Sequence, residues 1–175
     1  MRYFINNQNE LYASDNPFGR DVTGTGFERF YPLTHTHIGS DFATPVGTPI
    51  YAPTNGEMVK AEVSTPKGNV GVFCFTDPNG TVYGLELCHL RQLPKLGQYK
   101  EGDIIAYTGM TGTACTGPHL HTVMHKDCIV KKHYDAIGTA GHIDWQHGRA
   151  MFLSLLSAGN VVDTHATFLS YNIHV

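Results

Sequence analysis

The segment Gly117-Pro118-His119-Leu120-His121 decides how the rest of the chain is interpreted. It continues into Thr122-Val123-Met124, so the sequence predicts a β-strand that begins near His119. Side chains alternate between the faces of a strand, which places His119 and His121 on one face and Leu120 on the other. Two imidazoles on one face are either an ordinary surface pair or part of a site for metal and proton chemistry. The partners that the rest of the chain supplies must decide between these alternatives.

The chain before this segment carries the pattern of antiparallel strands. Short runs with alternating or β-branched residues are separated by Gly, Pro, Asn and Asp at regular spacing. Prolines every few residues between 43 and 53 exclude a helix there. We therefore predict a mainly β fold, with an antiparallel sheet or a distorted β-sandwich. The predicted strands cover residues 50–52, 57–63, 69–75, 81–90 and 104–107.

Composition favours one loop-rich β domain over all 175 residues, with 19 glycines, 9 prolines and only 15% charged residues. Three parts are expected within it: an irregular N-terminal segment (1–34), a core (35–126) and a C-terminal extension (127–175) with a short helix over 147–158. The net charge of −3 gives no indication of nucleic-acid binding. No apolar run is long enough to span a membrane, so no membrane partner is expected.

The cysteines and the N-terminal residues indicate in which cellular compartment the protein folds. The four cysteines form no C-x-x-C pair, so their spacing does not indicate a structural zinc site; they are Cys74, Cys88, Cys115 and Cys128. The first seven residues contain no apolar segment, so no signal peptide is predicted. Free thiols are the expected state, while a pairing of Cys88 with Cys115 remains open.

Outside the opening segment, one further motif offers metal ligands. His37-x-x-x-Asp41 supplies an imidazole and a carboxylate on a bend at Gly39, and His121 supplies a second imidazole. Two histidines and one aspartate form a suitable ligand set for a catalytic zinc ion with an open position. His89 and His119 then remain for proton transfer or for stabilising an oxyanion. His35 forms a second H-x-H with His37, and we interpret it as a histidine at the surface.

Three motifs in this order resemble the lysostaphin-type (LytM-like) zinc metallopeptidases, which cut the peptide part of bacterial peptidoglycan. The resemblance covers residues 35–126 and implies that His37, Asp41 and His121 bind one Zn²⁺ per chain. It also implies that His89 and His119 are the catalytic histidines that do not bind the metal. The motifs are His37-Ile38-Gly39-Ser40-Asp41-Phe42, Cys88-His89-Leu90 and Thr116-Gly117-Pro118-His119-Leu120-His121.

The expected activity is that of a zinc endopeptidase acting on stem peptides or cross-bridges of peptidoglycan. A substrate outside the cell and the absence of an export signal favour a bacteriophage protein. It would be an endolysin held in the host cytoplasm before release, or a tail enzyme with virion tail proteins as partners. A domain of a longer secreted chain is the alternative origin. The alternative functions are a non-catalytic binding or regulatory domain on the same fold, and a zinc carboxypeptidase acting on the same polymer.

Overall fold

A computed structural model describes residues 2–5, 16–31, 35–126, 161–164, 166–167 and 173–174. Strands and turns dominate these residues, with one 3-10 turn at Glu28–Phe30 and helical backbone at 164, 166 and 167. None of the helical stretches in these ranges is long and apolar enough to cross a membrane. The prediction of a mainly β, antiparallel fold is confirmed. The helix predicted over 147–158 lies outside the described residues.

The strands follow one another along the chain with short connections. They are β1 (Arg2–Tyr3), β2 (Ser40–Ala43), β3 (Pro49–Tyr51), β4 (Gly56–Ser64), β5 (Gly68–Thr76), β6 (Val82–Leu90), β7 (Gly97–Tyr99), β8 (Ile104–Tyr107), β9 (His119–Lys126), β10 (Val161–Val162) and β11 (Ile173–His174).

One seven-stranded sheet carries most of the fold. Its order is β10-β9-β6-β5-β4-β7, and β2 also pairs with β9. All neighbours in this sheet are antiparallel. Two smaller pairs lie beside it, the antiparallel pair β3–β8 and the parallel pair β1–β11. Consecutive strands β4, β5 and β6 are joined by tight turns, as expected where alternating runs are separated by turn residues.

The five strands predicted before residue 110 appear within one or two residues of their expected bounds. The expected start of β9 at His119 is also found. Among the strands before residue 110, two members of the seven-stranded sheet were not predicted. The segment of β2 was interpreted as a bend, and the three residues of β7 are too few to show an alternating pattern. Both strands depend on pairing with distant partners, β9 and β4.

The two faces of the sheet have different chemistry. Phe42 on β2 lies opposite Leu120 on β9, and both side chains are fully buried in the hydrophobic core. Asp41 and His121, the next pair in register, therefore project from the other face. The same face receives Cys88, which lies opposite His121 on β6. The main hydrophobic core thus lies on one side of the sheet, and Asp41 and His121 project from the other. The core includes Phe4, Ile50, Met58, Phe73, Leu85, Leu87, Ile105 and Met124.

A buried ion pair joins β6 to the turn before β5. Lys67 Nζ lies 2.6 Å from Glu86 Oε1, and the Glu86 side chain is only 5% exposed. Burial opposes ionisation of Glu86, but the Lys67 ammonium outweighs it and lowers the pKa of Glu86 to about 2. The carbonyl of Lys67 also accepts a hydrogen bond from the backbone N–H of His89 at 2.8 Å. The pair therefore holds the turn that borders His89.

Replacing Glu86 by glutamine is expected to lower the free energy of unfolding by about 3 kcal/mol, because the Lys67 ammonium loses its buried partner. The folded-state pKa of Glu86 lies below that of the unfolded chain. Its contribution is therefore present above the ordinary glutamate pKa of about 4.3 and is lost as the pH falls toward 2. In urea unfolding, the difference in the free energy of unfolding between wild type and Glu86→Gln should be larger at pH 7 than at pH 3.

Glu57→Gln, at an exposed carboxylate on β4, is the matched control, and its free energy of unfolding is expected to change by no more than about 0.5 kcal/mol. Equal losses in the two variants would contradict this prediction.

Candidate metal centre

Three side chains converge where the first half of β2 pairs with the first half of β9. His121 Nδ1 lies 2.7 Å from Asp41 Oδ1 and 3.1 Å from His37 Nε2. The third side of this triangle, from His37 Nε2 to Asp41 Oδ1, measures 3.4 Å. His37 and His121 are buried, and the Asp41 side chain is 16% exposed. We call these three residues the triad.

The sheet register explains how residues 80 positions apart meet. Asp41 and His121 are direct partners in the β2–β9 ladder, so their side chains leave neighbouring strands on the same face. His37 precedes β2 and is held by backbone hydrogen bonds to residues 19 and 20, each 2.8 Å long. Its Nδ1–H donates to the carbonyl of Pro17 at 3.1 Å, which leaves the Nε2 lone pair directed at the other two members.

Gly39 makes room for the imidazole of His121. A Cβ atom at this position would lie 2.5 Å from His121 Cε1 and would also collide with the carbonyl oxygen of Thr122. Carbon atoms pack at about 3.5–4.0 Å, so a side chain at residue 39 cannot be accommodated unless the ring moves. The bend that precedes Asp41 thus requires glycine because the His121 ring packs against it.

Substitution of Gly39 by alanine is expected to displace the His121 ring and to weaken metal binding by about 10–100-fold, the effect of disturbing groups that orient ligands. Competition with a chromophoric chelator measures the affinity. Gly26→Ala is the control, because a Cβ at Gly26 would meet no atom within 4 Å. Unchanged affinity in Gly39→Ala would show that the ring is not constrained at this contact.

The segment 16–31 contacts the triad from the side away from the sheet. Asn16 Nδ2 donates a hydrogen bond of 2.8 Å to Asp41 Oδ2, which leaves Oδ1 to face the two histidines. The ring of Tyr31 meets the His37 ring edge-on, with centroids 5.6 Å apart. Sequence reasoning did not identify these residues or the Pro17 carbonyl as parts of the site. Asn16-Pro17 shows only a chain-breaking pattern, and nothing in the sequence indicates where it packs.

His89 and His119 lie beside the triad as a second pair of imidazoles. Their ring centroids are 4.7 Å apart, and the His89 ring lies 6.1 Å from that of His121. His89 Nδ1 donates to the carbonyl of Thr111, and His119 Nδ1 donates to that of Gly117, each at 2.8 Å. Each neutral ring therefore keeps a lone pair on Nε2. His119 Nε2 lies 3.9 Å from Asp41 Oδ1, so this pair borders the same space as the triad.

The backbone of His89 contributes to this placement. Its φ angle is +60°, in the left-handed region that non-glycine residues rarely adopt. The strained residue lies at the end of β6, where the pairing with β5 shifts register. Backbone strain of this kind persists where the surrounding structure fixes the residue and is frequent at functional sites.

The electrostatics of the site favour neutral histidines and an ionised aspartate. Burial lowers the pKa of His121, and burial together with the neighbouring His121 lowers the pKa of His89 to about 4. Burial opposes ionisation of Asp41, but His121 and His37 outweigh it and lower its pKa well below the usual range. At neutral pH the site thus offers imidazole lone pairs and one carboxylate, which are the forms that bind a metal ion.

The triad fits a single tetrahedral metal ion. Donor atoms bound to one zinc ion at 2.0–2.2 Å lie about 3.3–3.5 Å apart. The separations of 3.1 and 3.4 Å that involve His37 are close to this range, and the 2.7 Å between His121 Nδ1 and Asp41 Oδ1 is a hydrogen-bond length that would widen around a metal ion. The two imidazole nitrogens of His37 and His121 approach each other although hydrogen bonding has already directed the His37 proton away from this contact. The Nδ1–H of His121 can donate to the Nε2 lone pair of His37 or to Asp41 Oδ1, and a metal ion bound to the same three atoms would replace that proton.

The five residues proposed from the sequence therefore lie together: His37, Asp41 and His121 in one group, with His89 and His119 next to it. His35 lies outside this group, since its exposed ring bonds to Glu28 Oε1 at 2.9 Å. This agrees with its interpretation as a surface histidine.

Among the described cysteines, Cys74, Cys88 and Cys115 form no disulfide, so the alternative pairing of Cys88 with Cys115 is wrong. Cys128 lies outside the described residues. Cys115 was not predicted to be part of any site. Its Sγ lies 3.5 Å from His119 Nδ1, because the loop before β9 folds back toward the first residue of that strand.

This chain belongs to peptidase family M23, whose sequence model matches residues 35–136. It is 36% identical over 115 residues to the peptidoglycan DD-endopeptidase ShyB of Vibrio cholerae, an alignment that covers 63% of this chain and 26% of that relative. The chain thus corresponds to about a quarter of the length of that protein.

Two solved structures are similar in fold. One is a zinc-containing peptidase from Vibrio cholerae, with 30% identity, a TM-score of 0.54, and coverage of 72% of this chain and 36% of the other. The other is the catalytic domain of lysostaphin from Staphylococcus simulans, with 25% identity and a TM-score of 0.52. That alignment covers 69% of this chain and 85% of the lysostaphin domain.

Proposed function

We propose that this protein is a zinc-dependent endopeptidase that hydrolyses peptide bonds in bacterial peptidoglycan. The observation that carries the proposal is the arrangement of five side chains on one face of the sheet. Two histidines and a carboxylate form a metal-binding triangle, and two further imidazoles border it without belonging to it. Membership of a peptidase family makes hydrolysis of an amide bond the chemistry that this arrangement serves.

In this proposal the triad residues His37, Asp41 and His121 hold the zinc ion. When bound, zinc polarises the scissile carbonyl and makes a water molecule nucleophilic at neutral pH. Asp41 contributes the negative charge that a divalent cation requires, and Asn16 keeps its second oxygen occupied. The Pro17 carbonyl fixes the tautomer of His37, as the outer partners of metal-binding histidines generally do.

His89 and His119 are proposed to handle protons. The hydrogen bonds from their Nδ1 atoms leave the Nε2 lone pairs to accept a proton from the attacking water. Once protonated, an imidazolium at this place can stabilise the developing oxyanion and donate the proton to the leaving amine. Because burial keeps the pKa of His89 at about 4, this ring is in its accepting form at the start of the reaction.

The relatives support the substrate class. ShyB is named a peptidoglycan DD-endopeptidase, and the neighbouring structure from Vibrio cholerae is described as a zinc-containing peptidase. A related protein of Neisseria meningitidis, 33% identical over 97 residues, is named a DD-carboxypeptidase/endopeptidase. The bacteriophage setting, the endolysin or tail location and virion tail partners stay predictions, since these relatives are bacterial proteins.

Digestion of purified cell walls of known chemotype tests the proposal. The chain is stripped of metal with a chelator, and samples with and without added Zn²⁺ are analysed by mass spectrometry of the released muropeptides. We expect cross-linked dimers to be converted to monomers only in the zinc-loaded sample. Release of single terminal residues from uncross-linked peptides would instead indicate a carboxypeptidase. Intact walls in both samples would favour the non-catalytic alternative, and full activity without metal would exclude the zinc mechanism.

A further inference from the structure

A second group of potential metal donors lies beside the triad. His89, Cys115 and His119 each present one donor atom, and these three atoms all lie within 4.8 Å of one another. None of them belongs to the triad, and a thiol is absent from the ligand set proposed for the catalytic zinc. A cysteine with two histidines is a donor set typical of zinc and other thiophilic cations.

The orientation of Cys115 fits this role. Its Sγ lies 3.5 Å from His119 Nδ1, and sulphur and nitrogen bound to one tetrahedral zinc ion are separated by about 3.5 Å. The thiol donates to the carbonyl of Gly117 at 3.0 Å, the same carbonyl that accepts from His119. Metal binding through Sγ and Nδ1 replaces both of these hydrogen bonds and moves the proton of the His119 ring to Nε2. His89 completes the group from β6, with its Nδ1 held by Thr111 and its Nε2 lone pair available.

We propose that His89, Cys115 and His119 form a second, thiophilic metal site, which binds Zn²⁺ or Cd²⁺ when these ions exceed one equivalent and thereby inhibits the enzyme. The binding site stands on the geometry alone, whereas the inhibition rests on the proposed function. Binding forms one metal–sulphur and two metal–nitrogen bonds and releases the thiol proton to solvent.

Occupancy of this site conflicts with catalysis. A metal ion on His89 and His119 engages the imidazoles that are proposed to accept and donate protons. A ring that binds the metal through Nδ1 carries its proton on Nε2. A ring that binds through Nε2 uses the lone pair of that atom. In both cases Nε2 cannot accept a proton from water. The second site is expected to be weaker than the triad, because the half-buried thiol must first be deprotonated and burial raises the pKa of Cys115.

Cobalt titration of the 175-residue chain tests the site without reference to activity. A thiolate ligand gives a sulphur-to-cobalt charge-transfer band in the near ultraviolet, which the histidine and carboxylate ligands of the triad cannot give. We expect wild type to bind two Co²⁺ ions, with the band developing at the second equivalent. Cys115→Ser should bind one ion without the band. Cys74→Ser and Cys128→Ser are the matched thiol controls and should behave as wild type.

Two further measurements test the site in wild type, so that the conclusion does not depend on the folding of Cys115→Ser alone. Cd²⁺ in excess of one equivalent should slow alkylation of Cys115 by iodoacetamide at least tenfold in wild type, as followed by peptide mass spectrometry. Excess Zn²⁺ should inhibit wall hydrolysis at a concentration at least tenfold lower in wild type than in Cys115→Ser. For each protein, the wall-hydrolysis activity in excess Zn²⁺ is expressed relative to its own activity with one equivalent of Zn²⁺.

A single metal ion per wild-type chain, a band that persists in Cys115→Ser, or unprotected alkylation would each overturn the second site. Failure of the proposed function looks different. In that case two cobalt ions bind and the Cys115-dependent band appears, yet walls are not cleaved at any zinc concentration.

Discussion

Replacing His121 by alanine is expected to abolish tight zinc binding and to reduce wall hydrolysis by at least about 10³-fold. His121 Nδ1 contacts both other members of the triad, so its loss leaves two donors from one short segment of chain. A metal ion supplies several kcal/mol of transition-state stabilisation, and each 1.36 kcal/mol corresponds to a factor of ten in rate. Metal content by mass spectrometry and release of muropeptides from purified walls measure the two effects.

His35→Ala is the matched control for this substitution. His35 lies two residues before His37, but its ring is exposed and contacts Glu28 rather than the triad. We expect metal content and wall hydrolysis to be within about twofold of wild type, since surface substitutions away from such sites have small effects. Retention of stoichiometric zinc by His121→Ala would contradict the assignment of the triad as the metal centre.

Replacing His119 by alanine is expected to lower kcat by about 10²–10⁴-fold, the usual contribution of general acid–base catalysis, while one equivalent of zinc remains bound. His119 Nε2 lies 3.9 Å from Asp41 Oδ1, so His119 borders the triad, but it does not supply one of the three donor atoms of the triad. Kinetics on a purified cross-linked muropeptide, together with metal analysis of the same sample, separate these effects. His89→Ala should behave in the same way.

The double variant His89→Ala/His119→Ala gives a sharper outcome. If the two imidazoles act in one proton-transfer unit, its kcat should be close to that of the worse single variant, because effects within a unit are not additive. Multiplicative losses would indicate independent roles. Loss of zinc from either single variant would contradict their separation from the metal centre.

The main strands and the shared face of His119 and His121 were predicted for a common reason, whereas His37, Asp41 and His89 were proposed from their motifs and the family resemblance. Alternation along β4, β5 and β6 is local, and so is the two-residue spacing that places His119 and His121 on one face. The pairing of β2 with β9 leaves no such local pattern, so the position of Asp41 opposite His121 became visible only in the sheet register.

The supporting contacts of the site were beyond sequence reasoning. Two of them use backbone carbonyls, of Pro17 toward His37 and of Thr111 toward His89, and any residue type can supply a carbonyl. Asn16 reaches Asp41 across 25 positions from a stretch without regular structure. Cys115 is one of four cysteines with no characteristic spacing, so its contact with His119 depends on the conformation of one loop.

The contacts of Asn16 and Pro17 also determine where the functional unit begins. Residues 35–136 match the family and contain every proposed ligand and catalytic histidine. Yet the carboxylate of Asp41 accepts a hydrogen bond from Asn16, and the ring of His37 donates one to the carbonyl of Pro17, and both of these partners lie outside the matched range. The evolutionary boundary of the domain and its chemical boundary therefore differ. A fragment cut at the family boundary would keep the whole ligand set and lose the two groups that orient it.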